Sequence, residues 1–152
     1  METTVVEEVK LHLYRVDTSS SAPLPYADGG IRAGFPSPAQ DYLSESIDLN
    51  RELIHHHETT FYARVVGDSM QGAGIFEGDI VIIDKALDAK DGDLIAAYVD
   101  GEFTLKRFKL DETGRCAWLI PANPRYRPIK VTAENDFMVW GVVTGVVRKL
   151  HR

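Results

Sequence analysis

The chain has 152 residues, of which 44% are hydrophobic, and this is enough for one domain with a real core. Its formal net charge of −6 argues against a protein that coats duplex DNA, because such proteins need clustered Lys and Arg. Cys116 is the single cysteine, so an internal disulfide is excluded and a cytoplasmic location is expected. We find neither an apolar run of about 18 residues nor a signal-peptide pattern, and we expect no membrane contact.

The N-terminal part of the chain has the composition of a flexible arm. Residues 9–14 alternate between apolar and polar side chains, which predicts one isolated strand. Residues 18–38 are rich in Ser, Pro and Gly, and the prolines forbid a continuous helix. We therefore divide the chain into a flexible arm, residues 1–38, and a globular domain, residues 39–152.

The domain is predicted to be mostly β, with one short helix at its start. Asp48 is a suitable N-cap for a helix over residues 48–55. From residue 61 onward, apolar runs separated by turn signals indicate strands, and Asp100-Gly101 is typical of a tight hairpin. The predicted strands are residues 61–66, 80–83, 94–99, 103–110, 117–120, 129–131 and 137–147.

Ser69, in the sequence Gly67-Asp68-Ser69-Met70, is a candidate nucleophile. Gly67 permits an unusual backbone angle and the close approach of a substrate, and the backbone amides of Asp68 and Ser69 are candidate donors to an oxyanion. Serine needs a neighbouring base to take its proton. A Gly-Asp-Ser turn is also a common structural feature, so the motif alone leaves both interpretations open.

Lys106 is the candidate base. Strand alternation places it on one face with Thr104, Phe108 and Leu110, while Arg107 and Lys109 point to the other face. A lysine among apolar neighbours is desolvated, which favours the neutral amine that a general base requires.

The bond between Ala33 and Gly34 is a candidate substrate within the same chain. Its side chains are small, and Pro36 and Pro38 keep the following residues out of a helix, as a protease cleft requires. Phe35 is a possible anchor in an apolar pocket. The alternative is that Ala33-Gly34 is an ordinary flexible step in a linker.

Five segments of the chain, taken in order, form a larger pattern that includes Ser69 and Lys106. They are Gly67-Asp68-Ser69-Met70 and residues 77–84, 100–107, 121–129 and 141–147. In order and spacing this set resembles the LexA/UmuD family of self-cleaving proteins, and residues 33–42 are especially similar to its UmuD branch. The similarity runs from about residue 32 to the end of the chain.

This resemblance implies a curved all-β peptidase domain behind a flexible arm. It implies that Ser69 is the nucleophile, Lys106 the general base and the Ala33–Gly34 bond the one that is cut. It also implies a homodimer, cleavage stimulated by the RecA–single-stranded-DNA filament after DNA damage, and a shortened product that joins the Y-family polymerase UmuC in translesion synthesis. We expect no metal and no cofactor.

Two other functions stay open at this stage. LexA and phage repressors carry an N-terminal DNA-binding domain, whereas this chain offers only an acidic arm, so a LexA-like regulator lacking that domain is one alternative. The other is a non-cleaving module that binds a polymerase, in which Ser69 and Lys106 are vestigial.

The remaining conspicuous side chains have ordinary structural interpretations. His55-His56-His57 is expected to be a solvated helix end, because no Cys or carboxylate stands at a typical zinc spacing. Cys116 is expected to be a thiol at a strand edge. Asp79 and Asp84 are expected to cap turns, and Trp118 and Trp140 to lie in the core or an interface.

Overall fold

The computed structural model describes residues 10–19, 23–26 and 45–151, and in these ranges the protein is mostly antiparallel β-sheet with one short α-helix, as predicted. The elements follow the chain in order. They are β1 (Lys10–Arg15), β2 (Pro23–Tyr26), β3 (Glu45–Asp48), α1 (Leu49–Leu53), β4 (Thr60–Val66), β5 (Ile80–Asp84), β6 (Leu94–Val99), β7 (Glu102–Leu110), β8 (Ala117–Ile120), β9 (Ile129–Val131) and β10 (Phe137–Val147).

Eight strands form the main sheet, in the order β1-β4-β5-β10-β6-β7-β8-β9. The last strand, β10, inserts between β5 and β6 and so pairs with both. β1 stands five places from β7 in this order, yet the two strands are also in contact. The sheet must therefore curve strongly, which confirms the expected curved architecture.

The predicted isolation of the first strand is wrong. β1 pairs with β4 along its whole length, from Lys10 beside Val66 to Arg15 beside Phe61. A strand exposes backbone donors and acceptors on both edges, and the free edge of β4 satisfies one set of them. The alternating pattern correctly predicted a strand, but it contained no information about which strand β1 pairs with.

A second strand lies within the stretch interpreted as linker. β2 pairs with β3, with Leu24 opposite Ile47. Successive N–H groups of a strand point to opposite edges, so the prolines at positions 23 and 25 remove donors from one edge only. The other edge keeps its donors and can pair. The proposed boundary at residue 38 lies between β2 and β3, outside the described residues, and stays a prediction.

Asp48 caps α1, as predicted, by accepting a hydrogen bond from the backbone N–H of Asn50 at 3.1 Å. The helix ends at Leu53 and not at His55, because Ile54 is buried with extended backbone angles. The histidine run is therefore not a helix end. His56 Nδ1 lies 2.5 Å from Asp84 Oδ2, so this histidine is hydrogen-bonded to the carboxylate of Asp84.

Two hydrophobic clusters cover the two faces of the sheet. Alternate residues of β6 divide between them, since Ala96 packs in one cluster while Ile95 and Ala97 pack in the other. On β7, Leu105 belongs to the first cluster and Phe108 to the second. Burial on both faces explains why β5 and β6 are continuous apolar runs. Trp140 packs against the first cluster, as expected of a core residue.

Gly141 lies on β10 against the end of β5. A Cβ there would stand 2.6 Å from Ile83 Cγ2 and 3.2 Å from the backbone oxygen of Asp84. We predict that Gly141→Ala lowers the free energy of unfolding by about 1–3 kcal/mol through overpacking. Chemical denaturation of the purified variant measures this.

Gly145→Ala is the matched control on the same strand. Its added Cβ would meet the flexible end of Ile82, Cδ1, at 3.3 Å and no backbone atom of a neighbouring strand within 4 Å. This variant is expected to lose clearly less stability than Gly141→Ala. Equal losses in the two variants would contradict close packing at Gly141.

Asp79 and Asp84 both accept hydrogen bonds from turn backbones, which confirms their capping roles. Asp79 Oδ2 accepts from Phe76 N and Asp84 Oδ1 accepts from Ala86 N, each at 2.8 Å. For Asp84, burial raises the carboxyl pKa, but hydrogen bonds from His56, Ala86 and Thr59 outweigh burial and the pKa is lowered overall.

Asp79 also forms an ion pair with Arg148, which the sequence did not reveal. Arg148 Nε donates to Oδ1 at 2.6 Å and Nη2 to Oδ2 at 2.5 Å. The hydrogen bonds from Arg148 are the main cause that lowers the pKa of Asp79 below its ordinary value of 3.8. The pair ties the end of β10 to the turn before β5.

Removing this ion pair is predicted to destabilise the fold in a pH-dependent way. Arg148 is 39% exposed, so we expect Arg148→Met to lower the free energy of unfolding at neutral pH, but by less than the loss of a fully buried pair would. A carboxyl whose pKa is lowered on folding stabilises above its unfolded pKa of 3.8, and that contribution is lost as the pH falls through the lowered value. The difference between wild type and variant should therefore shrink below about pH 4.

Arg64→Met serves as the control for the loss of an exposed arginine, since Arg64 is exposed and donates to the Gly78 carbonyl at 3.2 Å. It should change the free energy of unfolding by no more than about 0.5 kcal/mol. A stability difference for Arg148→Met that persists unchanged in acid would show that Asp79 ionisation is not involved.

Candidate active site

The chain turns sharply after β4 and brings Ser69 into the interior. Gly67 has a φ of 96°, in the left-handed region that favours glycine, so the predicted need for an unusual backbone angle is confirmed. Ser69 and Met70 are fully buried, and Met70 packs in the first hydrophobic cluster. The buried methionine anchors the loop that carries the serine hydroxyl.

Lys106 reaches the same point from the middle of β7. Its side chain is only 1% exposed, and its Nζ lies 3.3 Å from Ser69 Oγ. Nζ also donates to Thr104 Oγ1 at 2.7 Å and to the Leu105 carbonyl at 3.3 Å. These partners are uncharged oxygen atoms. The structure thus places Lys106, the candidate base, within hydrogen-bonding distance of Ser69, the candidate nucleophile.

The predicted alternation along β7 is confirmed around the lysine. Thr104, Lys106 and Phe108 are buried, whereas Arg107 and Lys109 are exposed. Leu110 differs from the prediction because it is 48% exposed at the end of the strand.

The local environment suits a neutral amine. Taking a lysine out of water disfavours its charged form. A neutral Nζ at hydrogen-bonding distance can accept the proton of a serine hydroxyl. The arrangement can thus activate Ser69 without a histidine.

β7 extends past its neighbour beside this pair. β8 pairs only with the second half of β7, from Arg107 to Leu110. The chain that leaves β8 then packs against the serine loop, with Ala122 N donating to the Ser69 carbonyl at 2.8 Å. Ser69 and Lys106 therefore lie where the β7–β8 ladder ends.

Three residues of the site received no role from the sequence. Thr104 was placed on the lysine face, but its hydrogen bond to Nζ was not foreseen. Asn123 and Tyr126 contact Asp68 from a distant part of the chain, although their segment was noted as part of the family pattern. For Thr104, the sequence did offer a signal, because its i, i+2 spacing from Lys106 places both side chains on the same face of one strand.

Two further predictions about the site are not tested by the described residues. Ala33 and Gly34 lie outside the described residues. The oxyanion role of the Asp68 and Ser69 amides stays a prediction. Within the part of the chain that the structure describes, no cluster of three metal-binding side chains occurs, and no helix is long and apolar enough to span a membrane.

Comparison with known proteins decides the family. The sequence profile described as peptidase S24-like matches residues 25–144, most of the chain. The chain belongs to the peptidase S24-like family. This confirms the resemblance to LexA/UmuD self-cleaving serine peptidases and identifies the protein as a peptidase by family.

Individual relatives agree with this family. The chain is 43% identical to protein SamA of Salmonella typhimurium over 117 residues, which cover 77% of this chain and 79% of that protein. It is 36% identical to protein ImpA of Escherichia coli, with 88% of each chain covered. It is 37% identical to the LexA repressor of Ectopseudomonas mendocina, over 80% of this chain and 58% of the repressor. The family is thus that of UmuD-like SOS mutagenesis proteins and LexA.

Proposed function

We propose that this S24 peptidase cuts its own Ala33–Gly34 bond with a Ser69–Lys106 dyad. The observation that carries the proposal is the 3.3 Å separation of Lys106 Nζ and Ser69 Oγ in a buried site. Family membership supplies the reaction class, and the small side chains of Ala33 and Gly34 fit an extended substrate.

The proposed reaction uses only groups of this chain and one water. Lys106 Nζ takes the proton of Ser69, and Ser69 Oγ attacks the Ala33 carbonyl carbon. The tetrahedral intermediate collapses as the Ala33–Gly34 bond breaks, and Lys106 returns the proton to the Gly34 nitrogen. Lys106 then takes a proton from water, the hydroxide attacks the Ala33 ester carbon, and Lys106 gives the proton to Ser69 Oγ as the ester bond breaks. The backbone amides of Asp68 and Ser69 stabilise the oxyanion in both steps.

The proposed trigger is the RecA–single-stranded-DNA filament formed after DNA damage. Because all catalytic groups come from the chain itself, RecA would act by stabilising the arm in the cleft. The shortened form, residues 34–152, would then serve as a dimeric accessory subunit of the Y-family polymerase UmuC. The UmuD-like relatives support this context.

A cleavage assay with RecA tests the trigger. The purified chain is incubated alone and with RecA filaments assembled on single-stranded DNA with a slowly hydrolysed ATP analogue. We expect cleavage to be faster with the filament, and Ser69→Ala to stay uncut in both. Equal rates with and without filament would remove RecA from the proposal but leave the self-cleavage intact.

A binding assay tests the polymerase. Chain 34–152 and the uncut Ser69→Ala chain are each mixed with UmuC, and the complexes are separated by size. We expect UmuC to bind the shortened form more tightly. If both forms bind equally, cleavage is not the step that recruits the polymerase.

A further inference from the structure

The chain that follows β8 clamps the loop that carries Ser69. We call residues 121–126 the clamp segment. Three hydrogen bonds join the clamp segment to backbone atoms of this loop. They run from Ala122 N to Ser69 O (2.8 Å), from Gly72 N to Ala122 O (2.6 Å) and from Asn123 Nδ2 to Asp68 O (2.9 Å).

The clamp segment also holds the side chain of Asp68. Tyr126 donates its hydroxyl to Asp68 Oδ1 at 2.5 Å, and Arg125 Nη1 lies 3.5 Å from Asp68 Oδ2. Asn123 shapes the segment itself, because its Oδ1 accepts from Arg125 N at 3.0 Å and its carbonyl accepts from Tyr126 N at 3.1 Å. Asp68 is thus held through its carbonyl and through its carboxylate.

The bond from Asn123 has a direct geometric consequence for Ser69. The carbonyl of Asp68 and the N–H of Ser69 belong to one planar trans peptide group, so they point in opposite directions. Asn123 Nδ2 donates to the Asp68 carbonyl at 2.9 Å, beside a longer bond from Gln71 N at 3.3 Å, and by holding that carbonyl it also holds the direction of the Ser69 N–H. That N–H is a proposed donor to the oxyanion, and such donors act only when preorganised.

We propose that Asn123 and Tyr126 are positioning residues, which aim the Ser69 N–H at the oxyanion by holding Asp68. This inference rests on the proposed self-cleavage. Asn123 acts on the peptide group and Tyr126 on the side chain of the same residue. Neither needs to touch the substrate.

The test is the pH profile of the self-cleavage rate in Asn123→Asp and Tyr126→Phe. Asn123→Asp keeps the oxygen that accepts from Arg125 N but removes the donor to Asp68, and Tyr126→Phe removes only a hydroxyl. Each is expected to lower the high-pH plateau about 10- to 100-fold, because a misdirected oxyanion donor loses most of its effect. The midpoint of the profile, which Lys106 sets, is expected to stay unchanged.

Arg127→Gln is the matched control. Arg127 is an exposed arginine just beyond the clamp segment, so its loss should leave the rate within about twofold of wild type. A purely structural role predicts a different result, since a loosened site would hydrate Lys106 and move the midpoint toward the ordinary lysine pKa of about 10.4.

The possible outcomes distinguish the positioning role from the proposed self-cleavage. A lowered plateau with an unchanged midpoint supports the inference. Wild-type rates in both variants, or a lowered plateau with a shifted midpoint, overturn the inference while the self-cleavage stands. A wild-type chain that is never cut overturns the proposed function and this inference with it.

Discussion

Ser69→Ala and Lys106→Met are each expected to abolish self-cleavage, with a rate loss of at least about 10³-fold. The first removes the oxygen proposed as the nucleophile, and the second removes the proposed base but keeps an unbranched apolar stem of similar size. The two residues act as a unit, so the double variant should be no slower than either single variant. Gel or mass analysis of the chain over time measures the rate.

Lys109→Met is the matched control, because Lys109 lies on the same strand but is exposed. It should cleave at the wild-type rate. Circular dichroism of Lys106→Met separates a chemical loss from unfolding. Cleavage by folded Lys106→Met at the wild-type rate would falsify the role of Lys106 as base.

The self-cleavage rate is expected to rise with pH and then level off. At a pH below the pKa of its amine, most of Lys106 is protonated and unable to act as a base. The rate should therefore increase by about tenfold per pH unit until the pKa is passed. Single-turnover rates of the wild-type chain across a pH series measure the profile.

Unfolding must be monitored in the same samples, since acid also weakens the Asp79–Arg148 ion pair. A rate that is flat from mildly acidic to alkaline pH, in a chain that stays folded, would contradict a lysine base. A rate that falls with increasing pH would point to a group that acts in its protonated form.

The local patterns predicted the strands well, because alternation and apolar runs report burial directly. β4 was expected over residues 61–66 and lies at Thr60–Val66, and β10 was expected over residues 137–147 and lies at Phe137–Val147. Pairing partners were not predictable in this way. The pairing of β1 with β4 joins strand edges that are far apart in the sequence, from Lys10 beside Val66 to Arg15 beside Phe61.

The pair at the centre of the site was predicted because its residues sit in short, recognisable motifs. The supporting contacts were not, because they join side chains far apart in sequence. Tyr126 and Asp68 are 58 positions apart, and His56 and Asp84 are 28 apart. Such contacts follow from the tertiary fold, since no local periodicity encodes them.

The most direct test of the account is the intact mass of the purified wild-type chain after incubation at alkaline pH, beside Ser69→Ala. We expect one pair of fragments, residues 1–33 and 34–152, in wild type and none in the variant. An uncut wild-type chain, even with RecA filament present, would contradict self-cleavage. A cut at any other bond, or a cut that survives in Ser69→Ala, would contradict the assigned bond or the assigned nucleophile.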